Sequence, residues 1–572
     1  MIQRTLAAAA ALALAAAAPA HSQRPAARAD AAMRTRLDSV VPALVRGAEL
    51  PGLSAAVVRD GAVYWSGAYG MRDAESRAPV DANTVFDAAS LTKPVVGYAV
   101  LRLVDRGVVS LDRPLAEIVP NPRMAHDERY RLITPRMVLS HTTGLPNWGS
   151  DDRVDMIGDP GQKFGYSGEG FVYLAQAVEK LTGRSITDVV RDEVLVPFGM
   201  TRTSLVWNDS LEADGARSHD VWGKARPVNR RDKPNAAASL RTTALDYGRF
   251  LAAAMEGRGL QPKTHAQMLS AFTQITGPRA GERLFWGLGW GLVQRADGGQ
   301  LMWHWGDNGD AKAFVAADPA RRTGVVYFAN AQQGLAVARS LVSMVVPGID
   351  DAIRWLDYDQ SDAPDWRTRR VIARAGVDSG AAAALARWRE ARASSRAAAR
   401  LAVAASRMMS DQGAAEPARA VLADAAASYA DSAFVQAALG DAALEAADYD
   451  AAVAAYRVAL ARAPRDSSVR ASLAWAEEGA RALAEAPTIP EVTLARYVGE
   501  YGPRRITLES GRLFYQRGEG RKRALAPLGA DTFAPEGLGN FRVRFVLPPE
   551  GPAEKILGIY LDGTRDENPR TK

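Results

Sequence analysis

The chain has 572 residues, of which 71 are lysine or arginine and 65 are aspartate or glutamate, and it contains no cysteine. The length predicts roughly three or four domains. The lack of cysteine excludes disulfides, a lipid-anchored cysteine and a thiol nucleophile, and the dispersed net charge of +6 argues against a nucleic-acid partner. The six histidines show no metal-ligand spacing, so the sequence predicts no metal and no cofactor.

Residues 1–22 have the three parts of a secretory signal peptide. A short basic start ends at Arg4, an apolar run extends from Leu6 to Ala18, and small residues suitable for cleavage follow. The run is too short to span a bilayer, and no later apolar stretch is long enough. We therefore expect an exported protein, periplasmic or secreted, with no membrane span.

A short helix around residues 33–48 and a β-hairpin are predicted next. Strand-like residues over 53–59 and 62–70 flank Asp60-Gly61, a dipeptide that favours a tight turn between two strands.

Ser90-Leu91-Thr92-Lys93 is the most informative motif of the chain. Proline is tolerated only in the first turn of a helix, so Pro94 indicates that a helix begins close to Ser90. Ser90 then lies at the positive end of the helix dipole, and Lys93 lies on the same face one turn later. A desolvated lysine amine can take the proton of a serine hydroxyl and make it nucleophilic. The string by itself occurs by chance, so it needs support from other motifs.

A helical region with many Pro and Gly interruptions extends to about residue 251. Further strands are predicted at 286–294, 301–304, 313–318 and 323–330, followed by a helix over 332–345. Strands on both sides of a helical middle predict an α+β domain, in which one antiparallel sheet is assembled from both ends and helices pack on it. We assign this domain to residues 30–348.

Three further motifs accompany Ser90 and Lys93. Tyr166-Ser167-Gly168 precedes a predicted helix, His304-Trp305-Gly306 ends a predicted strand, and His141 lies in a Ser-His-Thr-Thr-Gly sequence between Ser90 and Tyr166. In this order and spacing, the chain from about residue 33 to 344 resembles the serine β-lactamase-like family of class C β-lactamases, D-alanyl-D-alanine carboxypeptidases and related esterases. The resemblance implies the β-lactamase/transpeptidase fold and an acyl-enzyme mechanism.

The resemblance also assigns roles to single residues. Ser90 matches the family nucleophile, Lys93 the amine that takes its proton, and Tyr166 the phenol that delivers a proton to the leaving group. The backbone N–H groups of Ser90 and Asp307 match the oxyanion hole. We expect Tyr166, placed between two cations, to have a lowered pKa.

Two positions depart from the β-lactamase pattern. His304 stands where β-lactamases carry a lysine, which exchanges a permanent charge for a group that titrates near neutrality. Gly168 stands where they carry an asparagine that binds the substrate amide, and its absence favours esters. Gly306 is expected to let the substrate lie against the strand. His141 is expected to hold a loop rather than to catalyse.

Two regions follow this domain. Residues 350–486 are alanine-rich and helical, and one stretch around Tyr449 and Tyr456 resembles a tetratricopeptide repeat. This helical segment is either a spacer or a surface for a protein partner.

Residues 490–572 alternate apolar and polar positions, which predicts a small antiparallel β-sandwich or barrel. This part resembles an accessory domain often appended to such hydrolases.

The sequence thus predicts an exported serine hydrolase that acts through Ser90 on small esters, D-amino-acyl amides or other small molecules derived from the cell wall. A D-alanyl-D-alanine carboxypeptidase or a class C-like β-lactamase is the alternative within the family. The alternative of another class is a catalytically idle binding protein, whose helical and β regions hold a partner.

Overall fold

The structure, a computed structural model, describes residues 23–149, 153–277, 279–395, 398–518 and 520–571. The predicted signal peptide, residues 1–22, lies outside this described part. The chain forms two compact units that divide between Ala363 and Pro364. Within the described residues, no helix combines the length and apolar character needed to cross a bilayer.

The first unit is built on an antiparallel sheet. Its strands in chain order are β1 Gly52–Arg59, β2 Ala62–Asp73, β3 Ala78–Pro79, β4 Phe86–Asp87, β5 Arg241–Thr242, β6 Thr273–Gln274, β7 Leu284–Trp286, β8 Gly291–Gln294, β9 Gln300–Asp307, β10 Lys312–Asp318 and β11 Thr323–Ala329. Strands β4 and β5 pair with each other, and the others form one sheet of order β3-β2-β1-β11-β10-β9-β8-β7-β6. Because β1 lies beside β11, the predicted assembly of the sheet from both ends of the domain is confirmed.

Helices cover this sheet and form a second layer. They are α1 Gln23–Gly47, α2 Thr92–Asp105, α3 Pro135–Leu139, α4 Gly168–Thr182, α5 Ile186–Val190, α6 Ala244–Glu256, α7 Pro262–Met268, α8 Ala338–Val345 and α9 Asp350–Leu356. Helix α2 is buried at every residue from Thr92 to Leu101. Such a helix belongs inside the core, so the chain that follows Ser90 is held rigidly.

Two local predictions have opposite outcomes. The hairpin at Asp60-Gly61 is confirmed, and both residues have the positive φ values, 49° and 81°, that this turn requires. The single strand predicted over 286–294 is wrong. The chain turns between β7 and β8, where Gly287 N–H donates to the Trp290 carbonyl at 2.8 Å. Apolar residues continue through this turn because it is buried, so the alternation did not reveal it.

The second unit contains helices followed by strands. The helices are α10 Trp366–Ser379, α11 Ala381–Ser394, α12 Ala398–Asp411, α13 Ala415–Ser428, α14 Ala433–Glu445, α15 Tyr449–Arg462, α16 Ser467–Ala484 and α17 Glu491–Ala495. The strands are β12 Gly499–Tyr501, β13 Arg504–Glu509, β14 Arg512–Arg517, β15 Arg523–Pro527, β16 Thr532–Pro535, β17 Phe541–Val546, β18 Lys555–Tyr560 and β19 Arg565–Pro569. The predicted fold class, α+β followed by an all-α segment and a small all-β part, is confirmed.

The strands of the second unit pair in chain order, as in an up-and-down meander. A backbone bridge between Tyr501 and Arg570 joins the first strand to the chain end after β19, so the sheet approaches a closed barrel. The helical segment predicted from residue 350 is divided by the structure, since α9 belongs to the first unit and α10 opens the second.

Candidate active site

Ser90 lies in a 3-10 turn, Ala89–Leu91, that leads directly into α2. The helix therefore begins close to Ser90, as Pro94 predicted. Ala89 has a φ of 47°, which is unfavourable for a residue with a Cβ, and its N–H donates to Asp87 Oδ1 at 2.9 Å. Strained backbone of this kind persists only where the surrounding structure holds it, and it marks candidate functional sites.

The Lys93 amine is completely buried beside Ser90. Its Nζ donates to Ser90 Oγ and to the Ala237 carbonyl, each at 3.0 Å. Burial lowers the pKa of Lys93 from 10.5 to about 7, because removal from water penalises the charged form. At neutral pH a large fraction of the amine is therefore unprotonated and able to accept a proton.

Tyr166 completes a compact group around the serine. Its ring lies 4.7 Å from Lys93 Nζ, and its hydroxyl is buried without a hydrogen-bond partner among the described residues. Burial raises the pKa of Tyr166, and the neighbouring Ser90 side chain opposes this effect only in part. The expected lowering of the Tyr166 pKa is therefore wrong, because desolvation outweighs the influence of the nearby Ser90 side chain.

His141 holds the backbone on both sides of Tyr166. Its carbonyl accepts from the Gly165 N–H at 2.8 Å, and its Nδ1 accepts from the Ser167 N–H at 3.1 Å. Burial lowers the pKa of His141 well below 6.5, which keeps the ring neutral and Nδ1 available as an acceptor. This geometry agrees with the loop-holding role expected for His141.

The second half of β9 forms the other side of the site. Strand β8 pairs only with the first half of β9, so among the described strands His304–Asp307 is bordered by β10 alone. The Asn308 N–H donates to the Ala311 carbonyl at 3.0 Å, and hydrogen-bonded pairs alternate along an antiparallel ladder. The Asp307 N–H therefore points away from β10, toward the open edge, as an oxyanion donor would need.

Gly306 lets the serine turn pack directly on β9. A Cβ at this position would lie 2.5 Å from the Ala88 carbonyl oxygen. The direction that a side chain at residue 306 would take is therefore filled by the backbone of the turn, and the expectation that substrate lies along the strand edge stays a prediction. The glycine sets the distance between Ser90 and the strand.

His304 is completely buried at this strand edge. Its Nδ1 lies 2.8 Å from the Trp305 carbonyl oxygen, which can only accept, so Nδ1 carries the proton. Its Nε2 is buried without a partner among the described residues. Burial, helped by the nearby Lys93, lowers the pKa of His304 from 6.5 to about 3. The predicted titration near neutrality is therefore wrong, and the imidazole is uncharged at physiological pH.

Trp148 occupies the space in front of Gly168, a feature that sequence reasoning missed. A Cβ at Gly168 would lie 2.5 Å from the indole. The indole is 47% exposed, and its ring lies 5.9 Å from Lys93 Nζ. Nothing in the sequence around Trp148 marks it as a neighbour of Gly168, because the two are joined only by the fold.

Asp87 and Asn308 are two further site residues that the sequence analysis did not single out. Asp87 Oδ1, which holds Ala89, also accepts from Asn308 Nδ2 at 2.9 Å, and the same Nδ2 donates to the Ala238 carbonyl at 3.0 Å. Asn308 therefore ties the end of β9 to the serine turn. The only available signal was position, since each residue adjoins a predicted motif.

The Asp307 side chain is partly exposed and accepts hydrogen bonds from several donors. It accepts from Lys312 Nζ, from the Gly309 N–H at 2.8 Å and from the Tyr358 hydroxyl at 2.5 Å.

In the described part of the chain, no group of three or more His, Cys, Asp or Glu side chains is arranged to hold a metal ion. The structure thus gathers Ser90, Lys93, Tyr166 and His304 around one buried point, with the Asp307 N–H at the strand edge.

Comparison with known proteins identifies the family. The family description Beta-lactamase matches residues 37–341, which are more than half of the chain. The chain therefore belongs to the beta-lactamase family, and the resemblance inferred from the motifs is confirmed.

Curated relatives match part of the chain. Protein flp of Staphylococcus aureus (strain MRSA252) is 24% identical over 320 residues, 52% of this chain and 62% of that protein. Esterase EstB of Burkholderia gladioli is 32% identical over 233 residues, 35% of this chain and 58% of that protein. The chain thus spans less than two thirds of the length of either relative.

Solved structures of low sequence identity also match the chain. A class C beta-lactamase covers 56% of this chain and 97% of its own, at 18% identity and a TM-score of 0.49. The octameric penicillin-binding protein homologue from Pyrococcus abyssi covers 94% of this chain and 98% of its own, at 17% identity and a TM-score of 0.46.

Proposed function

We propose that the protein is an exported serine hydrolase that forms an acyl-enzyme on Ser90 and acts on small esters. One observation carries the proposal: a fully buried Lys93 amine, with a pKa of about 7, lies 3.0 Å from Ser90 Oγ. A lysine of ordinary pKa would stay protonated at neutral pH, whereas this amine can act as a general base. Membership of the beta-lactamase family supports the same reading.

The proposed reaction has two steps. Ser90 Oγ attacks the ester carbonyl carbon as its proton passes to Lys93, and the N–H groups of Ser90 and Asp307 stabilise the oxyanion. Tyr166, which its raised pKa keeps protonated, donates a proton to the departing alcohol and regains one from Lys93. Water then attacks the acyl-enzyme by the reverse proton route and releases the acid and free Ser90.

The surroundings of Ser90 favour esters over β-lactams and carboxylate-bearing peptides. His304 is uncharged at neutral pH, and Gly168 offers no side-chain amide. The loss of one charge-assisted contact costs about 1.5–3 kcal/mol. Similarity to Esterase EstB supports the ester class. D-amino-acyl amides, carboxypeptidase substrates and β-lactams are the competing substrates that the assay must include.

Labelling with a fluorophosphonate probe tests the mechanism. We expect the full-length protein to be labelled and Ser90→Ala to remain unlabelled. Absence of labelling in the wild type would favour a catalytically idle binding protein, and labelling that survives in Ser90→Ala would refute Ser90 as the nucleophile.

A substrate comparison tests the ester class. The ratio of kcat/KM for a short-chain nitrophenyl ester to that for a chromogenic cephalosporin is measured on one preparation, so that uncertain active-site concentration cancels. We expect the ester to be the better substrate. A cephalosporin value equal to or above the ester value would favour the β-lactamase alternative.

Export is a separate part of the proposal and rests on the composition of residues 1–22. Mass spectrometry of the protein recovered from the periplasm or medium should find an N-terminus that lacks the apolar run. Recovery of the uncleaved chain from the cytosol would contradict export and leave the hydrolase proposal untouched.

A further inference from the structure

Trp148 is a half-exposed tryptophan at the edge of the candidate active site. Its ring lies 5.9 Å from Lys93 Nζ, the atom that contacts Ser90 Oγ at 3.0 Å. Large aromatic side chains are normally buried, and one that keeps 47% of its surface exposed beside a nucleophile has an unused apolar face. The indole therefore offers a surface to whatever Ser90 attacks.

The residues on both sides of Trp148 are hydrogen-bonded to the start of α4. Asn147 accepts the Gly168 N–H through its carbonyl and its Oδ1, each at 3.0 Å. On the other side, the Gly149 N–H donates to Glu169 Oε1 at 2.9 Å. Both contacts lie on the first turn of α4, so the position of Trp148 is coupled to the helix that follows Tyr166.

A partly buried ion pair strengthens this anchor. Glu169 is nearly buried, and its two carboxylate oxygens accept from the two terminal nitrogens of Arg123, each at 2.9 Å. Bidentate arginine–carboxylate pairs fix geometry as well as charge. The segment that carries Trp148 is therefore pre-organised, and little conformational entropy remains to be lost when a ligand stacks on the indole.

The groups near Trp148 also restrict the charge of a ligand. His304 is neutral, Lys93 is partly neutralised by burial, and Tyr166 is protonated. On the strand side, Lys312 is paired with Asp307. A flat, uncharged group fits these surroundings better than a carboxylate does.

We propose that Trp148 is a substrate-binding residue that stacks on a planar aromatic group of an uncharged ester, and that Gly168 is the residue that admits the indole to this position. The inference rests on the proposed ester hydrolase activity and names its substrate class. The ring of the ester lies on either its acyl or its alcohol part, and the experiment distinguishes the two.

Two pairs of esters report the two positions. For the acyl part, nitrophenyl phenylacetate is compared with nitrophenyl acetate. For the alcohol part, benzyl butyrate is compared with methyl butyrate by titration of released acid. In each pair the measured quantity is the ratio of kcat/KM for the aromatic ester to that for the aliphatic one.

Trp148→Ala should lower one of these ratios by about tenfold, the usual scale of a lost aromatic stacking contact with its buried area. Trp148→Phe, which keeps an aromatic face, should retain most of the preference. Phe434→Ala is the matched control, since Phe434 is 48% exposed and belongs to the second unit. It should leave both ratios unchanged.

Gly168→Ala provides an independent test that leaves the tryptophan in the chain. The new Cβ would collide with the indole and displace it, so the same ratio should fall in Gly168→Ala as in Trp148→Ala. Ratios that stay within about twofold of wild type in both variants would overturn the inference. Failure of the proposed function would look different, because the wild type would then hydrolyse none of the four esters.

Discussion

Lys93 on α2 and His304 on β9 represent the two sides of the site, and both are completely buried. Burial lowers the pKa of each, but from different starting values and with different results. Lys93 falls from 10.5 to about 7, so it exchanges a proton near neutral pH, whereas His304 falls from 6.5 to about 3 and stays neutral. The same desolvation thus makes one group a proton acceptor and removes the other from the titration.

The difference shows which side of the site is responsible for its response to pH. The sequence pointed to His304, because an unperturbed histidine titrates near neutrality. In the structure Lys93 is the group that titrates, because burial lowers the pKa of its amine into the physiological pH range. The helix side therefore supplies the proton chemistry, while the strand side supplies a neutral, rigid edge.

Removal of the helix-side groups should have the largest effect. Lys93→Met and Tyr166→Phe should each lower kcat by at least ~10²-fold, the usual scale of general acid–base catalysis. Both variants should remain folded, since each replaces a buried polar group by an apolar one of similar size. Steady-state kinetics with a nitrophenyl ester, together with thermal melts, measures both effects. Turnover near that of the wild type in either variant would refute the role assigned to that residue.

The contact between the two sides is tested by Gly306→Ala. The added Cβ would lie 2.5 Å from the Ala88 carbonyl, so either the serine turn or β9 must move. We expect a stability loss of about 1–3 kcal/mol, typical of overpacking, with a fall in kcat of about tenfold or more. Chemical denaturation and kinetics report the two losses.

Gly529→Ala is the control for this substitution, because a Cβ there would meet no heavy atom within 4 Å beyond the two adjoining residues. It should change neither stability nor kcat appreciably. An unchanged kcat in Gly306→Ala would show that the position of the serine turn does not depend on this packing.

The pH dependence of both kcat/KM and stability should reflect the titration of the Lys93 amine. Because its unprotonated form is the base, kcat/KM should rise with pH and reach half of its plateau near pH 7. The folded pKa lies below the unfolded value of 10.5, so the unfolded chain binds more protons between about pH 7 and 10.5, and stability should rise with pH in this window by up to about 1.4 kcal/mol per unit. Lys93→Met should lack this contribution. A midpoint above pH 9 would contradict a depressed Lys93 pKa.

Replacement of the strand-side histidine should have the smallest effect on the pH profile. His304 is neutral above about pH 3, so His304→Gln should leave the midpoint of kcat/KM against pH where it is in the wild type, even if the rate itself falls. A shift of the midpoint by a full unit in this variant would restore His304 as the titrating group.

The fold was predicted where local patterns are strong. The Asp60-Gly61 turn and the strands at both ends of the first unit were readable because strand alternation and turn dipeptides act over a few residues. The turn at Gly287–Trp290 between β7 and β8 could not be predicted from the sequence, because a buried turn keeps apolar side chains that an exposed turn would lack. Burial, not local propensity, decides that segment.

For the site, the sequence by itself indicated the contact between Ser90 and Lys93, since Pro94 places a helix start close to Ser90 and residues three apart on a helix share a face. It also identified Tyr166, His304 and the family. Only the tertiary structure decided that Lys93 is near neutrality and His304 is uncharged, because a pKa depends on burial by segments distant in the chain. The tertiary structure likewise decided that the serine turn packs against Gly306 and that Trp148 fills the space beside Gly168. Close contacts between parts of the chain far apart in sequence leave no local pattern from which they could be inferred.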